Sequence, residues 1–153
     1  MSIDPFVDVA FTGSRKGMTD RQHAVVKQLL ERLSPGHVTH GGAIGADASF
    51  HDMCLFFAVP IIEVYPSNVE SQRARLNPVP QGMESSIALV VHAPQNPLDR
   101  NWDIVMNAKT LIACPDSAVE TLRSGTWSTV RRAQQIAKIV DILVVKPYDD
   151  EAI

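Results

Sequence analysis

Short apolar runs alternate along this chain with stretches of helical period, and that alternation predicts the fold. Residues 6–11 are apolar except for Asp8 and end at Thr12 and Gly13, which reads as a first strand. Val25, Val26, Leu29, Leu30 and Leu33 then fall at helical spacing, with Thr19 or Asp20 as the N-cap and Ser34-Pro35-Gly36 as the stop. A brief strand at 38–40 runs into Gly41 and Gly42. Residues 46–58 predict a helix with a broad apolar face, broken at Val59-Pro60 and followed by a β-branched strand at 61–65. Farther on, the pattern predicts a helix at 98–108 with Asp99 as N-cap and a strand at 110–114. A helix at 125–137, a strand at 142–145 and an acidic tail from Pro147 complete the chain.

Strands alternating with helices imply a parallel sheet covered on both faces. The expectation is a single α/β domain over residues 1–153, Rossmann-like and doubly wound, with a mainly parallel sheet of five strands or slightly more. The stretch 66–98 fits this rhythm least well. It carries Pro66, Pro78, Pro80, Pro94 and Pro97, and residues 87–92 read either as a strand or as a buried segment. We expect a long, partly structured loop near the mouth of a site.

Composition narrows the function classes. Apolar residues make up 45% of the chain, enough for a core of one domain. The formal charge of -3 argues against a protein built mainly to grip a nucleic-acid backbone. Cys54 and Cys114 sit in apolar settings and read as reduced core thiols. No apolar run approaches a membrane span and the N-terminus lacks a signal-peptide pattern, so a cytoplasmic location is expected. His51 and Cys54 are three apart, with His40 nearby, but no further pair completes a zinc spacing, and no metal is expected. Phe50, Phe56 and Phe57 exceed what one sheet face needs, which suggests a homo-oligomer, a dimer or larger.

Three glycine-bearing turns carry the candidate chemistry, each where an apolar run meets a helix. In an open parallel sheet such turns gather at the C-terminal ends of the strands. In the first, Thr12, Gly13 and Ser14 offer main-chain N–H groups and Arg15 a bidentate charge. In the second, Gly41, Gly42, Ala43 and Gly45 shape a turn before a helix whose first turn holds Asp47. Asp47 reads either as an acceptor for a ribose hydroxyl or as a helix-dipole partner. In the third, Ser124, Gly125 and Thr126 supply N–H and hydroxyl donors, with Thr126 also readable as an N-cap. Arg100 and Asn101 open a helix within reach of such a site. Tyr65 and Trp127 read as core aromatics or as platforms for a base.

These motifs, in this order, resemble the SLOG superfamily, which includes the DNA-processing protein DprA/Smf and the LOG-type phosphoribohydrolases. The resemblance is carried by residues 11–15, by residues 40–47 with His51, and by Tyr65-Pro66. It extends to Arg100-Asn101, to Pro115 and to residues 123–127. It implies a Rossmann-like fold that binds a nucleotide or nucleotide-derived molecule, with Pro66, Pro115 and Arg123 joining the residues above as ligand contacts and no required cofactor. The leading expectation is a binder or sensor of a nucleoside phosphate or an ADP-ribose-like molecule. LOG-type hydrolysis of an N-glycosidic bond is the alternative, with Arg100, Asp47 and Glu120 as candidate catalytic groups. The LOG pattern places a glutamate where this chain has Thr129, and a hydroxyl cannot do a carboxylate's work there. DprA-like binding of single-stranded DNA ranks third and would rest on Arg73, Arg75, Arg123, Arg131 and Arg132.

Overall fold

The computed structural model describes residues 7–121, 124–136 and 141–148. Six parallel strands form one sheet in the order β4-β3-β2-β1-β5-β6: β1 (Val7–Gly13), β2 (His37–His40), β3 (Ile61–Val64), β4 (Ala88–Val91), β5 (Ala108–Cys114) and β6 (Asp141–Val144). The helices are α1 (Asp20–Leu33), α2 (Ala46–Phe56), α3 (Pro97–Val105) and α4 (Gly125–Gln134). The α/β expectation therefore holds, with one strand more than five.

Two cores sandwich the sheet. On one face α1 and α2 bring Val26, Leu30, Phe50 and Met53 against Val9, Phe11, Val38 and Ile62. Phe11 and Phe50 stack there at 4.3 Å between ring centroids. On the other face α3 and α4 press Ile104, Val105, Val130 and Ala133 onto Val7, Ala10 and Leu111. The apolar excess of α2 is thus mostly spent inside: Phe50 is fully buried, Phe57 packs on the core, and Phe56 alone of the three lies exposed, with the Lys27 ammonium near its ring. Both cysteines are buried and free, and burial raises both thiols.

The caps explain where the helices begin. Thr19 and Gln22 form a reciprocal capping box, so α1 starts at Asp20, well ahead of Val25, the first position of its apolar stripe. Gln22, itself buried, also donates from Nε2 to the carbonyls of Pro115 (2.7 Å) and Val145 (2.9 Å), tying α1 to the ends of β5 and β6. In α3 the N-cap is Asn96 rather than Asp99. Asn96 Oδ1 accepts from the N–H groups of Leu98 and Asp99, and Pro97 occupies the first helical position.

Glu63 on β3 knits three strands together. His37 on β2 and His92 after β4 meet its carboxylate at 2.6 and 2.7 Å, and the Tyr65 hydroxyl donates to it at 2.9 Å. Burial raises the Glu63 pKa, but the bonds from His92, Tyr65 and His37 outweigh it and hold the group below its ordinary 4.5. Its contribution is therefore present above about pH 4.5 and fades as the carboxyl protonates at lower pH. Glu63→Ala leaves three polar side chains without their acceptor. We expect a loss of roughly 1–3 kcal/mol in denaturant unfolding at pH 7. A loss that is undiminished at pH 3 contradicts this assignment.

Candidate functional site

Strands β2, β3 and β4 lie on one side of β1, while β5 and β6 lie on the other. The chain leaves β1 toward α1 and leaves β5 toward α4, on opposite faces, so a crevice opens at the C-terminal ends of these two strands. Such a switch point is where open α/β sheets bind ligands. A cavity of about 600 Å³ occupies it.

Thr12, Gly13, Ser14 and Arg15 from the end of β1, Ala43 and Asp47 from the second turn and α2, Arg100 and Asn101 from α3, and Ser124, Gly125 and Thr126 from α4 all line this cavity. Gly41, Gly42, Gly45, Pro66, Pro115, Glu120 and Trp127 are not in its wall, and Arg123 lies outside the described residues. Most of the excluded residues have visible structural work. The Gly41 carbonyl accepts from Arg100 Nη1 at 2.9 Å. Pro66 and Pro115 are buried, and their carbonyls accept from Gln95 N–H and Gln22. Glu120 is exposed and paired with Arg131. Trp127 packs against the α3–α4 core and Tyr65 stacks on His92, so neither presents a ring to the cavity.

Lys16, Gln72, Pro97, Ile104, Asp116 and Thr121 also line the cavity without having been named as site residues, although Gln72 and Pro97 belong to the stretch 66–98 expected near its mouth. Lys16 and Asp116 follow directly on Arg15 and Pro115, so adjacency to the motifs was their available signal. They form an exposed ion pair at 3.1 Å across the rim. Gln72 arrives by a long-range pairing: Ala43 bridges Arg73 antiparallel, the Ile44 N–H donates to the Gln72 carbonyl, and the Ala74 N–H donates to Gly42.

The first two turns are packed directly on one another. The Ala46 N–H donates to the Ser14 carbonyl at 3.0 Å, docking the start of α2 on the end of β1. Gly45 makes this possible: its φ is +88°, and a Cβ there would strike the backbone of Ser14 and Arg15. A Cβ on Gly13 would strike Ala46, and one on Gly41 would strike the Arg100 guanidinium. These glycines serve the fold first. Gly125 differs, because a Cβ there meets nothing within 4 Å and its φ is ordinary.

Behind the second turn a chain of rings fixes the backbone. The Gly42 N–H donates to His40 Nδ1 (3.0 Å), so His40 Nε2–H faces His51 Nδ1 (2.9 Å) and His51 Nε2–H donates to the Asn77 carbonyl (2.8 Å). Burial and the nearby His51 and Arg100 hold His40 well below its ordinary pKa, in keeping with this neutral arrangement.

Asp47 is the electrostatic centre. It is 4% exposed, and its Oδ2 accepts from the Ala43 N–H at 3.1 Å. Its Oδ1 is buried without a hydrogen-bond partner among the described residues, as is Arg100 Nε. Burial raises the Asp47 carboxyl to about 6, against the pull of Arg100 and of the Ala43 and Gly41 N–H groups. The wall thus combines cations at the rim, open amide groups at the start of α4 and one half-satisfied carboxylate.

The fold is Rossmann-like. No family model and no curated protein matches the chain. Among solved structures, the chain is similar to DNA processing protein A (DprA) from Streptococcus pneumoniae, with a TM-score of 0.64 at 19% identity over 96% of this chain and 52% of that one. It is also similar to TM1055, a LOG-family protein, with a TM-score of 0.52 at 12% identity over 82% of this chain and 67% of that one. Both neighbours are SLOG-superfamily members. The chain spans about half the length of the DprA structure it matches. Among the described residues, no helix is long and apolar enough to cross a membrane.

Proposed function

We propose that this protein binds a nucleotide-derived small molecule, a nucleoside phosphate or an ADP-ribose-like compound, in the crevice between β1 and β5. The observation that carries this reading is the convergence of three chain segments, residues 12–16, residue 43 and residues 124–126, on one cavity with Arg15, Lys16 and Arg100. Phosphate oxygens accept from main-chain N–H groups at the start of α4 and from guanidinium groups. The neighbours' fold supports the same class. Arg100→Ala is expected to weaken binding by about tenfold or more, since one charged hydrogen-bond partner is worth roughly 1.5–3 kcal/mol. Titration calorimetry with nucleoside monophosphates and ADP-ribose tests it, and unchanged affinity in the variant counts against the role.

A second reading, cleavage of an N-glycosidic bond, is favoured by one observation: Asp47 is a carboxyl raised to about 6 in the cavity wall. Against it, Thr129 is buried and donates to the Gly125 carbonyl at 3.1 Å, and Glu120 stands off the wall. Chromatography for free base released from a nucleoside monophosphate decides between binder and hydrolase. For single-stranded DNA the support is weaker. Arg131 is paired with Glu120 and Arg132 lies over the Trp102 ring.

A further inference from the structure

Two buried imidazoles link the second turn to the segment that carries Gln72, and the polarity of that link is fixed at both ends. The Gly42 N–H can only donate, so His40 Nδ1 accepts (3.0 Å) and the His40 proton sits on Nε2. The Asn77 carbonyl can only accept, so His51 Nε2–H donates to it (2.8 Å) and His51 Nδ1 takes the His40 Nε2–H (2.9 Å). Every ring nitrogen is used, and an added proton has no seat. On His40 Nδ1 it meets the Gly42 N–H, and on His51 Nδ1 it meets the His40 Nε2–H. Bulk water cannot take up the displaced bond, because both rings are 0% exposed. They pack edge to face at 5.1 Å between centroids, and Phe50 lies edge-on to His40 at 5.9 Å.

The linked segment, residues 72–77, is a strap clipped at both ends. At 72–74 it pairs with the second turn, through the Ile44 N–H to the Gln72 carbonyl, the Ala74 N–H to the Gly42 carbonyl and the Ala43–Arg73 bridge. At 77 it is held by His51, and the Asn77 side chain donates to Asp52 at 2.8 Å. Ala43, Asp47 and Gln72 stand in the cavity wall, so the wall keeps its shape only while the clips hold. We propose that His40 and His51 form a proton-sensitive clasp, which fixes the strap and the second turn while both rings are neutral and releases them when either ring takes a proton. Burial, then His51 from α2 and Arg100 from α3, oppose a charge on His40, so the clasp is closed at neutral pH and opens as pH falls below histidine's ordinary 6.5. Asp52 bonds the Asn77 side chain rather than a ring. Asp47, raised to about 6, accepts from the Ala43 N–H and is the other titrating group bonded to this turn. The clasp belongs to the ligand-free chain and stands apart from the nucleotide reading.

The test is an NMR titration of the full, ligand-free chain from about pH 8 to about pH 4, in the wild type and in Asp47→Asn. It reads the imidazole nitrogens and the backbone amides together. At the alkaline end, His40 and His51 should both carry their proton on Nε2 and leave Nδ1 bare. As pH falls, the amide signals of Gly42, Ala43, Gln72, Ala74 and Asn77 should move with ring protonation, at one shared midpoint below 6.5. His23, exposed on α1, should titrate by itself, and core signals such as Leu30 and Ile112 should stay in place. Asp47→Asn removes the carboxyl's own titration and should leave the joint step standing. A proton on Nδ1 of either ring at the alkaline end overturns the clasp. So do rings that stay neutral to the acid end of the titration, or turn and strap amides that stay fixed while the rings protonate. A step that vanishes in Asp47→Asn assigns the sensing to the carboxyl and overturns it as well. Simultaneous loss of all native signals, core included, overturns it as a local device.

Discussion

Replacing Gly45 with alanine is expected to destabilise the protein by roughly 2–4 kcal/mol, as read by denaturant unfolding. Gly45 is the N-cap of α2, with φ +88° and ψ −123°, a conformation that L-residues other than glycine rarely hold. The added methyl would also meet the Ser14 and Arg15 carbonyl groups, which are backbone and cannot swing aside. Relief requires α2 to lift from the end of β1, breaking the bond from the Ala46 N–H to the Ser14 carbonyl and opening the cavity wall at Asp47. Gly125→Ala is the informative contrast. Its methyl meets only open space, so stability should stay within about 0.5 kcal/mol of wild type. Equal losses in the two variants would contradict the division of labour between packing glycines and the open one.

Asp47→Asn is expected to stabilise the ligand-free protein by about 1–3 kcal/mol at pH 7 and to weaken ligand binding. The direction follows from the raised carboxyl. Below pH 3.8 both folded and unfolded chains hold the neutral acid and burial costs no charge. Between pH 3.8 and about 6 the unfolded chain ionises first, so this group draws stability down as pH rises. Above about 6 the full cost persists. A rise of about two pH units corresponds to roughly 3 kcal/mol. Asparagine carries no charge to desolvate and keeps an oxygen for the Ala43 N–H. The gain should therefore vanish near pH 3.5, and unfolding curves across pH 3.5–8 test it. A variant less stable than wild type at pH 7, or with the same pH dependence, contradicts the placement of an ionised, half-satisfied carboxylate here. Keeping such a group at a cost in stability is what a binding site does.

Much of this was legible in the chain because its signals are local. The 3.6 period of Val26 and Leu30 marked α1, and Thr19 stood as one of two N-cap candidates, the structure showing that it caps α1. The three glycine turns pointed to the strand ends where the cavity lies. What stayed hidden depends on contacts distant in sequence. Strand β4 is four residues long, at the sheet edge, inside a proline-rich stretch, so its apolar run at 87–92 read equally as strand or buried segment. Gln72 reaches the cavity only because residues 72–74 pair with residues 42–44. Asn96, not Asp99, caps α3 because one side-chain oxygen serves two amides, a geometry that residue type alone does not rank. The sequence offers the glycines as ligand-facing turns, yet Gly13, Gly41 and Gly45 make room for Ala46, Arg100 and the end of β1.

The most direct test of the ligand site is an amide-resolved NMR titration with the tightest-binding nucleoside phosphate or ADP-ribose. The N–H signals of Gly13, Ser14, Arg15, Ala43, Gly125 and Thr126 should shift together with one dissociation constant. The signals of Leu33, Ser34 and Lys109, which line a separate hollow beside Asp8, should stay in place. Shifts confined to that hollow, or none at the three converging turns, would contradict it.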